Sequence, residues 1–134
     1  MAAQGGWAEI ATGQIAQRKG ASDAVRQFGQ RMVQDHGMAN QELASIAGKL
    51  GITLPKDPDA KHQADAKMLE RVTGPEFDSQ YSKQMVMDHE VAVALFEKQS
   101  KGGDDPSLRQ FSTKYLPILQ EHLKMARALA GQSR

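Results

Sequence analysis

Three of the four histidines in this sequence sit where an amphipathic helix would carry an apolar residue. His36 falls in the series Val25, Phe28, Met32, His36, Ala39, Leu43, Ile46 and Leu50. His89 falls in Phe77, Tyr81, Met85, His89, Ala92, Phe96 and Gln99, and His122 in Leu108, Phe111, Tyr115, Ile118, His122, Met125 and Leu129. Each series steps by three and four, the spacing of one helix face. A core imidazole needs a partner for each ring nitrogen taken out of water, at about 1–3 kcal/mol for each left unpaired. Three such groups on three helices meet that need in one of two ways. They share a divalent transition metal, since imidazole ligates zinc, copper and iron, or they form a polar core layer satisfied by its neighbours. His62 lies between Lys61 and Gln63, in polar company, and is expected in solvent.

The flanking residues bear on the same question. Each of the three histidines directly follows an acid: Asp35, Asp88 or Glu121. One residue is about 100° around a helix, so the acid flanks the stripe and can orient an imidazole on the adjacent helix; the alternative is a half-solvated boundary charge. Met32, Met85 and Met125 lie within a turn of the three histidines. Thioether with imidazole suits copper, whereas methionine at helical spacing is most often core filler. Glu9 is the candidate fourth ligand. It shares a face with Gly13 and Ala16, opposite Trp7, Ala11 and Ile15, and this short segment leaves open which face turns inward. A di-iron centre is disfavoured, because such bundles use Glu-x-x-His on two helices. Val33, Val86 and Leu119 stand where those glutamates would be. No phosphate-binding glycine loop or activated nucleophile is recognisable, so an enzymatic role has no residue to rest on.

Helices must position these groups. Ser22 offers an N-cap hydroxyl, Gly51 a stop, and Asp57-Pro58 and Asp105-Pro106 the acid–proline pair that opens a helix. No stretch alternates with period two. The spacing predicts an all-α chain with five helices, over about 4–19, 23–50, 58–73, 76–101 and 106–131. The breaks near 20 and 103 are short and join antiparallel neighbours. Residues 51–75 are long enough to climb the ~42 Å of a 28-residue helix. The expected architecture is therefore a ferritin-like four-helix bundle, with a short helix in the crossover between its second and third long helices; a plain up-and-down bundle is the alternative. Pro117 should kink the last helix just before His122. A fragment also recurs: Phe28-Gly-Gln-Arg-Met-Val-Gln-Asp-His36 and Tyr81-Ser-Lys-Gln-Met-Val-Met-Asp-His89 match in aromatic, Met, Val, Asp and His at an offset of 53.

Composition bounds the rest. A chain of 134 residues is read as a single domain, 1–134. Without cysteine there is no disulfide, thiolate zinc site, iron–sulfur cluster or thiol catalysis. Seventeen basic against sixteen acidic residues, with no basic stripe and few aromatics, argue against a nucleic-acid reader. The longest apolar run, Val91–Phe96, is too short to span a membrane. The opening Met-Ala-Ala-Gln-Gly-Gly has neither a charged nor an apolar signal region, which reads as a cytoplasmic protein or a mature form.

Glu9-Ile10 with Ala16, Met32-Val33 with Asp35-His36, Phe77-Asp78 with Tyr81, His89 followed by Leu95-Phe96, and Leu116-Pro117 with His122-Leu123 occur in that order. Over about residues 5–130 this pattern resembles the bacterial DUF4142 family. The resemblance implies a ferritin-like bundle, usually exported to the periplasm or cell envelope. It implies recurring acid and histidine positions at Glu9, His36, His89 and His122, and it implies no activity. The partners it leaves open are a second copy of the chain and another envelope protein.

Overall fold

The computed structural model describes residues 2–132, which are all-α: α1 (Ala2–Lys19), α2 (Asp23–Leu50), α3 (Ala60–Glu70), α4 (Gly74–Gly102) and α5 (Pro106–Gln132), with no strand among them. The local signals act largely as expected. The Ser22 side chain accepts from Val25 N–H at 3.2 Å. Gly51 ends α2 in the left-handed region at φ 70°, where a side chain would be strained, and Ile52 N–H closes the turn on Ala47 O at 2.9 Å. Asp105 caps α5 by accepting from Leu108 N–H at 3.0 Å. α5 continues through Pro117.

The third helix is shorter than the expected 58–73. Asp59, not Asp57, is its N-cap, accepting from His62 N–H at 3.3 Å. Pro58 therefore belongs to the extended lead instead of the first helical turn. At the other end Arg71 caps the helix. Asp57-Pro58-Asp59 carries two possible caps, and the one whose carboxylate reaches a free backbone N–H sets the boundary.

The helices form two antiparallel hairpins, α1 with α2 and α4 with α5. Contacts along the crossover fix how they are joined. Trp7 Nε1–H donates to Pro55 O at 3.1 Å, and Arg18 pairs with Glu70 at 2.6 Å. Residues 55–70 thus run alongside 7–18, up the length of α1. At the top the Asp78 carboxylate accepts from Ala21 and Ser22 N–H at 2.8 and 3.0 Å. The start of α4 therefore sits beside the start of α2, and the two helices run parallel. The recurring fragment supplies their register: Phe28 meets Tyr81 at 6.0 Å between ring centroids, and His36 meets His89 at 5.7 Å.

α1 and α2 cross closely where Gly13 faces Gly29. A Cβ on Gly29 would lie 2.7 Å from Gly13 O and 2.8 Å from Ala16 Cβ. That crossing turns the Glu9, Thr12, Gly13 and Ala16 face inward and buries Glu9. Two apolar clusters fill the interior. One, near the α1–α2 turn, is built on Phe28, Met32, Phe77, Tyr81 and Met85. The other, toward the opposite end, is built on Ala39, Leu43, Phe111 and Tyr115. The three histidines lie in the sequence intervals between these clusters and make a polar layer across the core.

Candidate metal centre

α2, α4 and α5 each contribute one imidazole to this layer. His36, His89 and His122 are 8%, 1% and 0% exposed. Their ring centroids are 5.7 Å (His36–His89), 5.4 Å (His36–His122) and 5.3 Å (His89–His122) apart. One ring nitrogen from each lies within 4.8 Å of the other two.

Hydrogen bonds assign the ring protons of two of them. His89 Nδ1 lies 2.8 Å from Met85 O, and a carbonyl only accepts, so Nδ1 carries the hydrogen and Nε2 the lone pair. His122 Nε2 lies 2.7 Å from Asp35 Oδ2, so Nε2–H donates to the carboxylate and Nδ1 keeps its lone pair. Asp35 is itself held by Arg31, whose Nε–H donates to Oδ2 at 2.9 Å. The remaining nitrogens, His89 Nε2 and His122 Nδ1, are buried with no partner among the described residues, as is His36 Nε2. Burial keeps all three rings neutral. It pulls His36 well below its ordinary value, helped by the two imidazoles beside it. It lowers His89 to about 4, with the neighbouring His122 imidazole acting the same way and the Met85 carbonyl opposing. It lowers His122 against the pull of Asp35. Neutral imidazoles with unshared lone pairs are the form that binds a metal ion.

The other expected participants divide. Glu9 is 5% exposed and lines the same cavity, but it stands outside the group of mutually close ligand atoms. Burial and the neighbouring Asp88 carboxylate raise its pKa well above the ordinary value. Burial raises Asp88 as well, with His62 and Glu9 pulling it back. Met32 and Met85 are fully buried in the apolar cluster, with Met125 packed against it. Glu121 is more than half exposed, 3.6 Å from Arg31.

The chain itself is matched over residues 1–129 by the family model described as a domain of unknown function, DUF4142. The protein belongs to the DUF4142 family. No curated protein and no solved structure matches it. The four DUF4142 positions singled out in the sequence, Glu9, His36, His89 and His122, all line one cavity in this member.

Sequence reasoning placed His62 in solvent. The structure corrects this: its side chain is 21% exposed, it pairs with Asp59, and its Nε2 lies 3.9 Å from Asp88 Oδ1. The polar neighbours Lys61 and Gln63 point elsewhere on a three-turn helix, and the face that meets α1 and α4 is not apolar enough to stand out. The adjacent acids were expected to orient an imidazole across helices. Asp35 does so for His122, whereas Asp88 turns to Glu9. Arg31, which holds Asp35, carried only the four-residue spacing of an ion pair as a signal.

Proposed function

We propose that this DUF4142 member is a metal-binding helical bundle that holds one divalent transition metal on His36, His89 and His122. The observation that carries this reading is the convergence of three buried imidazoles, each with a buried nitrogen that has no partner among the described residues. Left bare they cost about 1–3 kcal/mol each, and a polar layer evolved only for packing would pair them. A single cation accepts all three lone pairs at once. Metal–nitrogen bonds of ~2.0–2.1 Å put tetrahedral ligands about 3.3 Å apart, so the rings would close by roughly 1.5 Å from their present spacing. Asp35 and the Met85 carbonyl hold two of the rings in the required tautomer, the arrangement that orients metal-bound histidines elsewhere.

Three imidazoles leave one position of a tetrahedral shell. Glu9 is the carboxyl on the same cavity wall that can take it, on giving its proton up. Zinc, copper and iron all suit this donor set. The bundle is read as ferritin-like, supported by the two hairpins and the lengthwise crossover, but without the Glu-x-x-His pairs of a di-iron centre. A role in metal sensing, storage or stress protection in the bacterial envelope fits a site with no nucleophile beside it; the envelope location is carried by the family resemblance alone.

The test is thermal unfolding of untagged protein with and without Zn²⁺ or Cu²⁺, together with elemental analysis. A hundredfold excess over the dissociation constant should stabilise by ~2.7 kcal/mol, on the order of 10 °C for a chain of this size. His89→Ala should abolish the shift. An unchanged shift in the variant, or none in the parent, would make the histidines a structural polar layer.

A further inference from the structure

The histidine layer forms one end of a cavity of about 310 Å³. Beyond the imidazoles its walls are Leu43 of α2, Ala92, Leu95 and Phe96 of α4, and Phe111 and Ile118 of α5. This part of the wall is mostly apolar; Asn40 and Tyr115 also line it, the Asn40 amide donating to Ala3 O at 3.3 Å and the Tyr115 hydroxyl to Glu42 Oε2 at 2.7 Å. The cavity reaches the surface beside Val91 and Leu95, which line it and are 70% and 43% exposed. Lys61, with its side chain 71% exposed and its ammonium 3.4 Å from Asp65, stands on the same lining.

Size and lining define an occupant. An apolar cavity of ~150 Å³ takes up benzene, so twice that volume holds about ten to twelve carbons. Beyond the imidazoles the wall is mostly apolar and its polar side chains Asn40 and Tyr115 already have partners, which disfavours sugars, nucleotides and peptides of that size. The histidine end is different: three neutral imidazoles would bring no charge to a dication held there, which could accept one further ligand. A hard anionic oxygen fits that position, with metal–oxygen bonds of ~2.0–2.2 Å.

We propose that the cavity binds an apolar monocarboxylate of about ten carbons, its chain among Leu43, Phe96, Phe111 and Ile118 and its carboxylate on the metal held by His36, His89 and His122. This rests on the metal reading above for the head group and on the cavity itself for the chain. The bound carboxylate takes the position otherwise left to Glu9. The exposed Val91 and Leu95 give its chain an apolar threshold.

Isothermal titration calorimetry of the full chain with hexanoate, octanoate and decanoate, zinc-loaded and zinc-free, tests this. Each added methylene that is buried should tighten binding to the zinc form by up to about fourfold, levelling off once the cavity is full near ten to twelve carbons. Decanoate should bind the zinc form at least about tenfold more tightly than the zinc-free form, and decanol should show no such difference. Ala92→Phe, which fills the cavity, and Leu95→Arg, a change at its exposed rim, should each weaken decanoate binding while leaving zinc binding intact. Equilibrium dialysis with zinc alone is read first. If zinc does not bind, the metal reading falls, and the coordinated head with it. If zinc binds and decanoate at about 1 mM does not, the cavity ligand falls while the metal site stands. Equal decanoate affinity with and without zinc overturns the coordinated head. Affinity independent of chain length overturns the placement of the chain.

Discussion

Acid should destabilise the metal-free protein through His89 by an amount that can be worked out. Its imidazole is 1% exposed and titrates near 4 in the folded protein, against about 6.5 in an unfolded chain. A depressed folded pKa means that the unfolded state takes up the proton first. The stability is therefore fully present above pH 6.5 and is lost as the pH falls from there to 4. Between pH 7 and 4.5 this amounts to about 2 kcal/mol for His89 alone. His36 and His122 are shifted in the same direction. Glu9 is shifted the opposite way for a carboxyl, so the cost of keeping it protonated shrinks as the pH falls. A single protein therefore shows only the sum. The assay is urea unfolding of the parent and of His89→Gln at both pH values in the presence of a chelator. The groups common to both proteins largely cancel in the comparison. The parent should lose about 2 kcal/mol more than the variant on acidification. A difference between the two that stays constant to within about 0.5 kcal/mol would refute a histidine held buried and neutral.

Three further outcomes are expected. Asp35→Asn removes the carboxylate that fixes His122 in its Nδ1-lone-pair tautomer, and should weaken zinc binding about 10–100-fold in equilibrium dialysis; unchanged affinity would mean that Asp35 is only an ion-pair partner of Arg31. Gly29→Ala puts a Cβ 2.7 Å from Gly13 O and should cost about 1–3 kcal/mol in chemical unfolding, despite the better helix propensity of alanine; a neutral or stabilised variant would mean that α1 and α2 do not cross so closely. Spin labels at positions 50 and 76 should lie about 40 Å apart, the length of α2, because the crossover climbs the bundle; a separation under about 20 Å would indicate a local connection.

Much of this arrangement is legible residue by residue. Ser22, Gly51 and Asp105 act on backbone groups a few positions away, so their roles follow from spacing alone, and α2, α4 and α5 have buried stripes because their apolar residues recur every three or four positions. The same periodicity places His36, His89 and His122 inward. The 53-residue repeat between α2 and α4 is visible as a pattern, although the pattern does not say that the two copies face each other.

What the chain could not settle locally involves groups that meet only after folding. The short α1 carries Ala and Gly around most of its circumference, so hydrophobicity does not choose its inner face; the close crossing at Gly13 and Gly29 does, and that crossing buries Glu9. Asp57 and Asp59 are both chemically able to cap α3, and the packing of the crossover against Trp7 and Arg18 selects one. Asp35 and Asp88 look alike in sequence, each one residue before a histidine. One reaches His122 and the other Glu9 because different helices lie across from them. By itself the sequence determined the helices, the caps of α2 and α5 and the inward turn of three imidazoles, since these depend on neighbours within a turn or two. Only the tertiary structure decided that the imidazoles converge, that Glu9 and Asp88 become neighbours and that a mostly apolar cavity opens onto both, because each requires contacts between residues 50 or more positions apart.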